Sequence, residues 1–231
     1  MADDKHIDIY QAPALLQDLD EAWRRFERAV KEAVSAIEQG YDARWEDRGG
    51  KDEIVRVEMV PMVQMRPWRQ LRTRILAVYD QLRSLVDDTR AALRSVAEWV
   101  AHHQSLSAPP AQAEDATMRA MQVVQILRDG EHVLADVPST VDQITQYASR
   151  ATISAHEAEQ YRQAAEHVIA AITGWIGAAM DAVGRLLGSA TGQVATGTTR
   201  VVTRVVREVV QGAGWLILLG LGIYLLIQRG G

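Results

Sequence analysis

The chain has 231 residues and not one of them is cysteine. That absence excludes disulfides, thiolate–metal sites and cysteine nucleophiles, and it leaves the redox compartment open. Asparagine is missing as well, so the chain has no acceptor for N-linked glycans. A net charge of −5 supplies none of the basic surface that general nucleic-acid binding requires, and no nucleic-acid partner is expected. The opening residues, MADDKHIDIYQAPALL, are acidic where a signal peptide is basic and hold no long apolar core, so no cleaved secretory signal is expected. Proline is absent after Pro138, whereas ten of the sixteen glycines lie between Gly174 and Gly222, with Gly230 and Gly231 beyond them. The chain therefore changes character after Pro138, from charged and punctuated to proline-free, alanine-rich and finally glycine-rich.

Catalytic motifs are missing too. His156-Glu157 is followed by Gln160 where a zinc protease needs its second histidine. His102-His103 reads as a solvated helix end rather than a metal pair. There is no G-x-S-x-G, no phosphate-binding loop, no calcium loop and no dinucleotide fingerprint. Asp87 and Asp88 are adjacent on a charged helix face and do not converge on one point. The expectation is a non-enzyme with no catalytic residue, metal, cofactor or small-molecule substrate.

What the sequence does contain is helical periodicity. Leu16, Leu19, Trp23, Phe26, Val30, Ala33 and Ile37 alternate spacings of three and four, predicting an amphipathic helix that ends near Gly40. A longer series runs through Trp68, Leu71, Ile75, Val78, Leu82, Leu85, Thr89, Ala92, Val96 and Trp99. Tyr79, Val86, Leu93 and Val100 widen its stripe, so this helix should contact more than one neighbour, with Leu82 and Leu85 as packing residues. Between the two lies an insert at 41–67, in which Val55, Val57, Met59, Val63 and Met65 share one face of an extended segment. Gly49-Gly50 can turn that segment back on Tyr41–Trp45, and Pro61 restricts it to an edge strand or a loop. Arg56, Glu58 and Gln64 make it too polar for a membrane-inserting tongue; a short hairpin or loop capping the bundle is expected.

A proline-centred linker covers 104–113, and a shorter helix follows with Met118, Met121, Val124, Leu127 and Leu134, stopping at Pro138. Ser139 and Asp142 suggest a capping box. From there Val141, Ile144, Ala148, Ala151, Ala155 and Ala158, then Ala165, Ile169, Ile172, Ile176, Ala179, Val183 and Leu186, predict one long alanine-rich helix over 139–187. Ala170, Gly174 and Ala178, then Gly184, Gly188 and Gly192, repeat at intervals of four. Both are small-residue faces that let helices approach closely. Residues 188–208 form a glycine- and valine-rich connector.

Gly212–Ile227 carries no charged or strongly polar residue. Sixteen helical residues rise about 24 Å, short of a hydrocarbon core of about 30 Å. The uncharged stretch Val209–Gln228 has twenty residues and reaches it. Trp215 and Tyr224 lie near its ends, Leu216, Leu219 and Leu225 fill its middle, and Arg229 can snorkel. This predicts a single-pass C-terminal anchor. Arg200, Arg204 and Arg207 precede it and Arg229 alone follows, which places the bulk of the chain on the cytoplasmic (or virion-interior) side. The apolar run 168–180 is closed by Asp181 and, beyond it, Arg185 after thirteen residues, a length that suits a buried or interfacial helix better than a span.

The fold class expected is all-α: an elongated, coiled-coil-like bundle with a small hairpin or loop insert and a C-terminal transmembrane helix. Residues 1–138 would be the charged bundle region, followed by 139–187, 188–208 and the anchor 209–228. The function expected is a membrane-anchored structural or scaffold protein, with a lipid bilayer and a second copy or another helical protein as partners. The alternative is an oligomeric membrane conduit or pore, such as a virion membrane or DNA-ejection component.

Overall fold

A computed structural model describes residues 8–47, 53–102 and 110–190. In chain order the elements are α1 (Ala12–Gln39), β1 (Tyr41–Asp47), β2 (Glu53–Pro61), α2 (Arg66–His102), α3 (Ala113–Ala135), α4 (Val137–Ala148), β3 (Thr152–Ser154) and α5 (Ala155–Ala190). Short 3-10 turns lie at Ile9–Gln11 and Met62–Gln64. The described residues are thus mostly helical with one small three-stranded sheet. The chain divides into two compact units, Met1–Val183 and Gly184–Gly231, and the boundary falls inside α5.

Helix α1 begins with a proline in its first turn, where a missing N–H costs no hydrogen bond. It buries Leu19, Ala22, Phe26, Ala29, Val30, Ala33 and Ile37 along one side, close to the stripe expected from its periodicity. Helix α2 buries Trp68, Leu71, Ile75, Val78, Leu82, Leu85, Val86, Thr89, Leu93, Val96 and Trp99. That width fits its position, because α2 packs on both α1 and α3 while α1 also packs on α3. Leu82 and Leu85 lie in the core with almost no exposed surface. Near the beginning of α1 the core narrows to small residues, with Ala12, Ala113, Ala116 and Ala120 packed beside Leu93 and Val96.

Helix α3 buries Val124, Leu127 and Leu134 of the expected series but not its two methionines. Ala113, Ala116, Ala120, Val123, Val124, Leu127 and Leu134 face inward, whereas Met118 and Met121 are exposed. Alanine on the inner face permits a close approach to α1, so the bulky methionines turn outward.

Gly40 ends α1, and its amide donates to the Ala36 carbonyl at 2.8 Å. A Cβ there would lie 2.5 Å from Val141 Cγ1 and 2.9 Å from Met62 Sδ, so glycine is required by close packing rather than by its dihedral angles. Of the hairpin or loop expected next, paired strands form: β1 and β2 are antiparallel from Tyr41↔Pro61 to Asp47↔Ile54, with a bulge at Arg44/Trp45. Strand β2 is not the edge strand that Pro61 suggested. It is the middle strand, because β3 pairs with its other side through Glu53↔Ser154, Ile54↔Ile153 and Val55↔Thr152. Pro61 is tolerated since it is the last residue of β2, six positions beyond the β3 pairing. Val63 belongs to the following 3-10 turn rather than to an extended face.

The long helix expected over 139–187 is two helices. Helix α4 starts at Val137, with proline in its first turn, and has no side-chain cap; Ser139 Oγ donates to the Asp136 carbonyl instead of forming a box with Asp142. Helix α4 stops at Ala148, where the Arg56 guanidinium donates to the Ala148 carbonyl at 2.9 Å and the Arg56 amide to the Ala151 carbonyl at 2.9 Å. These bonds hold residues 149–154 against β2. The capping box is found six residues later, at the start of α5: the Ser154 amide donates to Glu157 Oε2 at 2.9 Å and the Glu157 amide to Ser154 Oγ at 3.2 Å. Linker residues 103–109 lie outside the described residues.

Candidate functional site: the seat of helix α5

Helix α5 differs from α1 and α2 in having no charged residue between His167 and Asp181. Val168, Ile172, Trp175, Ile176, Ala179 and Val183 form its buried face. Ala170, Ala171, Gly174, Gly177 and Ala178 are exposed on the opposite side. From Ala155 to Leu187 the helix is long and apolar enough to cross a membrane, with a mean hydropathy of 1.3 over its most apolar window. Asp181 and Arg185 close the uncharged run, but they do not interrupt the helix. Only a third of that window is buried, less than a core helix enclosed by protein would show.

Two side chains seat α5 on the bundle. The first is Trp175, which fits a notch in α3 at Gly130. A Cβ on Gly130 would lie 2.7 Å from Trp175 Cε2 and 2.8 Å from Phe26 Cε2. Gly130 is four residues after Ile126, so the missing side chain opens a path to the Ile126 carbonyl, and Trp175 Nε1 donates to it at 3.3 Å. The Trp175 and Phe26 rings meet at 5.6 Å between centroids. Glycine inside a helix costs about 1 kcal/mol against alanine, and burial of the indole offsets that cost.

The second is Tyr161, whose hydroxyl donates to Asp42 Oδ1. Asp42 also accepts from Trp68 Nε1 at 3.0 Å and from the Ala43 amide at 2.6 Å. Its side chain thereby joins β1, α2 and α5. It is 5 % exposed, and no cationic side chain among the described residues bonds to it. Burial raises its pKa above the usual carboxylate range, against the opposing pull of the Trp68 and Ala43 hydrogen bonds. Glu27 on α1 behaves in the opposite way: its carboxylate accepts from Tyr79 at 3.0 Å and pairs with Lys31 at 3.2 Å, and these contacts lower its pKa.

The residues expected to pack helices together divide accordingly. Gly174, Ala178 and Gly184 are exposed, and a Cβ on Gly174 or Gly184 would meet nothing within 4 Å. Gly188 lies within α5. Gly192 and the anchor residues Trp215, Leu216, Leu219, Tyr224, Leu225 and Arg229 lie outside the described residues. Sequence reasoning passed over Asp42, Gly130 and the Ser154–Glu157 box. The last two carried signals: a lone glycine inside a helical pattern, and S-x-x-E ahead of an apolar run.

A charged groove of about 550 Å³ lies between α1 and α3, lined by Asp18, Glu21, Arg25, Arg128, Glu131 and His132. Its charges engage one another, Arg25 with Glu21 and Arg128 with Asp18 at 3.7 Å. Among the described residues no three His, Asp or Glu side chains are grouped to hold a metal ion. No known protein family, curated protein or solved structure matches the chain.

Proposed function

We propose that this chain is a non-enzymatic, membrane-anchored helical scaffold. The bundle presents surfaces to a second copy or another helical protein, and residues 209–228 fix it to a bilayer with the bundle on the cytoplasmic (or virion-interior) side. The observation that carries this reading is the twenty-residue uncharged stretch Val209–Gln228, which holds Trp215 and Tyr224 near its two ends and is followed by Arg229. The bundle surface is consistent with this reading, since several of its acids and bases pair with one another: Arg90 with Asp20 and Asp87, Arg72 with Glu38, Arg44 with Glu58. Exposed pairs of this kind contribute up to about 1 kcal/mol each and serve as a solvated surface rather than as chemistry.

A second reading, an oligomeric conduit, draws on α5 itself, which has the length and composition to enter a bilayer. One experiment addresses both. Full-length protein and a form lacking Gly212–Gly231 are expressed, and membranes are washed with alkaline carbonate. The full chain is expected to stay in the pellet and the shortened one to leave it. Retention of the shortened form would transfer the anchor to α5. Full-length protein added to dye-loaded vesicles is expected to release no dye, because Asp181 and Arg185 oppose insertion of α5. Rapid release would replace the scaffold by the conduit.

A further inference from the structure

The geometry points to Asp42 as a protonation-controlled latch for the first turns of α5: the protonated carboxyl holds Tyr161 on the bundle, and ionisation loosens it. This goes beyond the membrane reading and does not depend on it. Three donors from three elements converge on one carboxyl that is 5 % exposed: Trp68 of α2, Ala43 of β1 and Tyr161 of α5. A buried anion with only neutral partners is costly, because hydrogen bonds replace part of its hydration and no opposite charge replaces the rest. When the carboxyl takes up a proton, its oxygens keep lone pairs for Trp68 and Ala43, and the new O–H can be accepted by the Tyr161 oxygen. The joint therefore survives protonation and is relieved of its charge.

Charged groups on the surrounding elements do not supply the missing cation. Arg44 pairs with Glu58 across the hairpin, Arg72 with Glu38 between α2 and α1, and Arg150 with Glu157 at the start of α5. Arg162 is held by Glu159 and Glu166, and Arg56 by the Ala148 carbonyl. Tyr147 of α4 meets Tyr161 edge-on at 6.2 Å between ring centroids, and the Arg150 guanidinium lies over the Tyr147 ring, 4.7 Å from its centroid. His156 and His167 of α5 are exposed, His156 sharing a hydrogen bond with Gln160.

Lifting Tyr161 away exposes Asp42 to water and returns its carboxyl toward ordinary acidity. The docked state thus has the raised pKa. Stability contributed by the joint is fully present below the ordinary carboxylate range and is lost as pH rises through the docked value. Glu27, with its lowered pKa, gives the opposite trend on α1, so local opening rather than global unfolding is the quantity to read.

The test is hydrogen–deuterium exchange on the full chain in dodecylmaltoside micelles at a series of pH values from 4.5 to 8, corrected for intrinsic exchange. Protection over residues 158–165 should fall several-fold as pH rises. It should be independent of pH in Asp42→Asn, still pH-dependent in His156→Gln, and low throughout in Tyr161→Phe. The same pH dependence in Asp42→Asn, or protection that rises with pH in the wild type, would overturn the latch. Should Asp42→Asn fail to fold, carboxyl carbon NMR of the wild type decides. A midpoint for Asp42 above the ordinary range supports the latch, and one at or below it ends the proposal.

Discussion

Single side chains in this bundle are worth most where a polar atom is enclosed. Asp42 has three partners, whereas Thr89 has none: it is fully buried in α2 and its hydroxyl finds no hydrogen-bond partner among the described residues. A buried hydroxyl without a partner costs about 1–3 kcal/mol, and valine has nearly the same shape. Thr89→Val should therefore stabilise the protein by about 1 kcal/mol. Chemical denaturation monitored by circular dichroism checks this; an unchanged or lower midpoint would mean that the hydroxyl is satisfied in solution, by water or by the preceding turn. The periodicity of α2 placed Thr89 on the inner stripe, so its burial was legible in the sequence. Its lack of a partner was not, since that depends on which residues of α1 and α3 face it.

At the scale of elements, two polar contacts supplement the buried face of α5. Trp175 and Tyr161 are separated by fourteen positions, about four turns, and between them they hold the helix at Gly130 and at Asp42. Gly130→Ala would remove the intrinsic penalty of glycine in α3, which taken alone stabilises by about 1 kcal/mol. The added methyl meets the Trp175 and Phe26 rings, however, and overpacking of that kind costs about 1–3 kcal/mol. The second effect should win, because both rings are already fixed: Phe26 is fully buried and stands 6.4 Å from the ring of Tyr79. The expected outcome is faster amide exchange around residue 175 with little change in α2. A variant as protected as the wild type would show that the notch can widen.

The break between α4 and α5 belongs to the same scale. The seam of alanines runs through residues 148–158 without proline or glycine, and local propensity alone permits a continuous helix there. What interrupts it is β2, which offers Ile54 and the Arg56 amide and guanidinium to the passing chain. Burial of Ile153 at 3 % exposure rewards the strand. The capping box at Ser154–Glu157 then restarts the helix.

At the scale of the whole molecule, α1, α2 and α3 pack on one another, and α2 forms one wall of their common core. Leu82 and Leu85 are buried at 0 % and 1 % exposure in the middle of that wall. Replacing both by aspartate would enclose two unpaired charges, each costing several kcal/mol, against a total domain stability of about 5–15 kcal/mol. The bundle should lose its cooperative thermal transition. A double variant that still melts cooperatively at the wild-type temperature would place this part of α2 outside the core.

The sequence by itself determined the helical class, the inner stripes of α1 and α2, the presence of a non-helical insert after Gly40 and the change to an apolar, glycine-rich chain after Pro138. These are periodic or compositional properties, and each residue contributes to them independently of distant ones. Tertiary structure alone decided the third strand, the inward alanines of α3, the seating of Trp175 against Gly130 and the enclosure of Asp42 by Trp68 and Tyr161. Those depend on residues 26 to 119 positions apart in sequence meeting in space, and a pattern read along the chain holds no record of which distant partner fills a given gap.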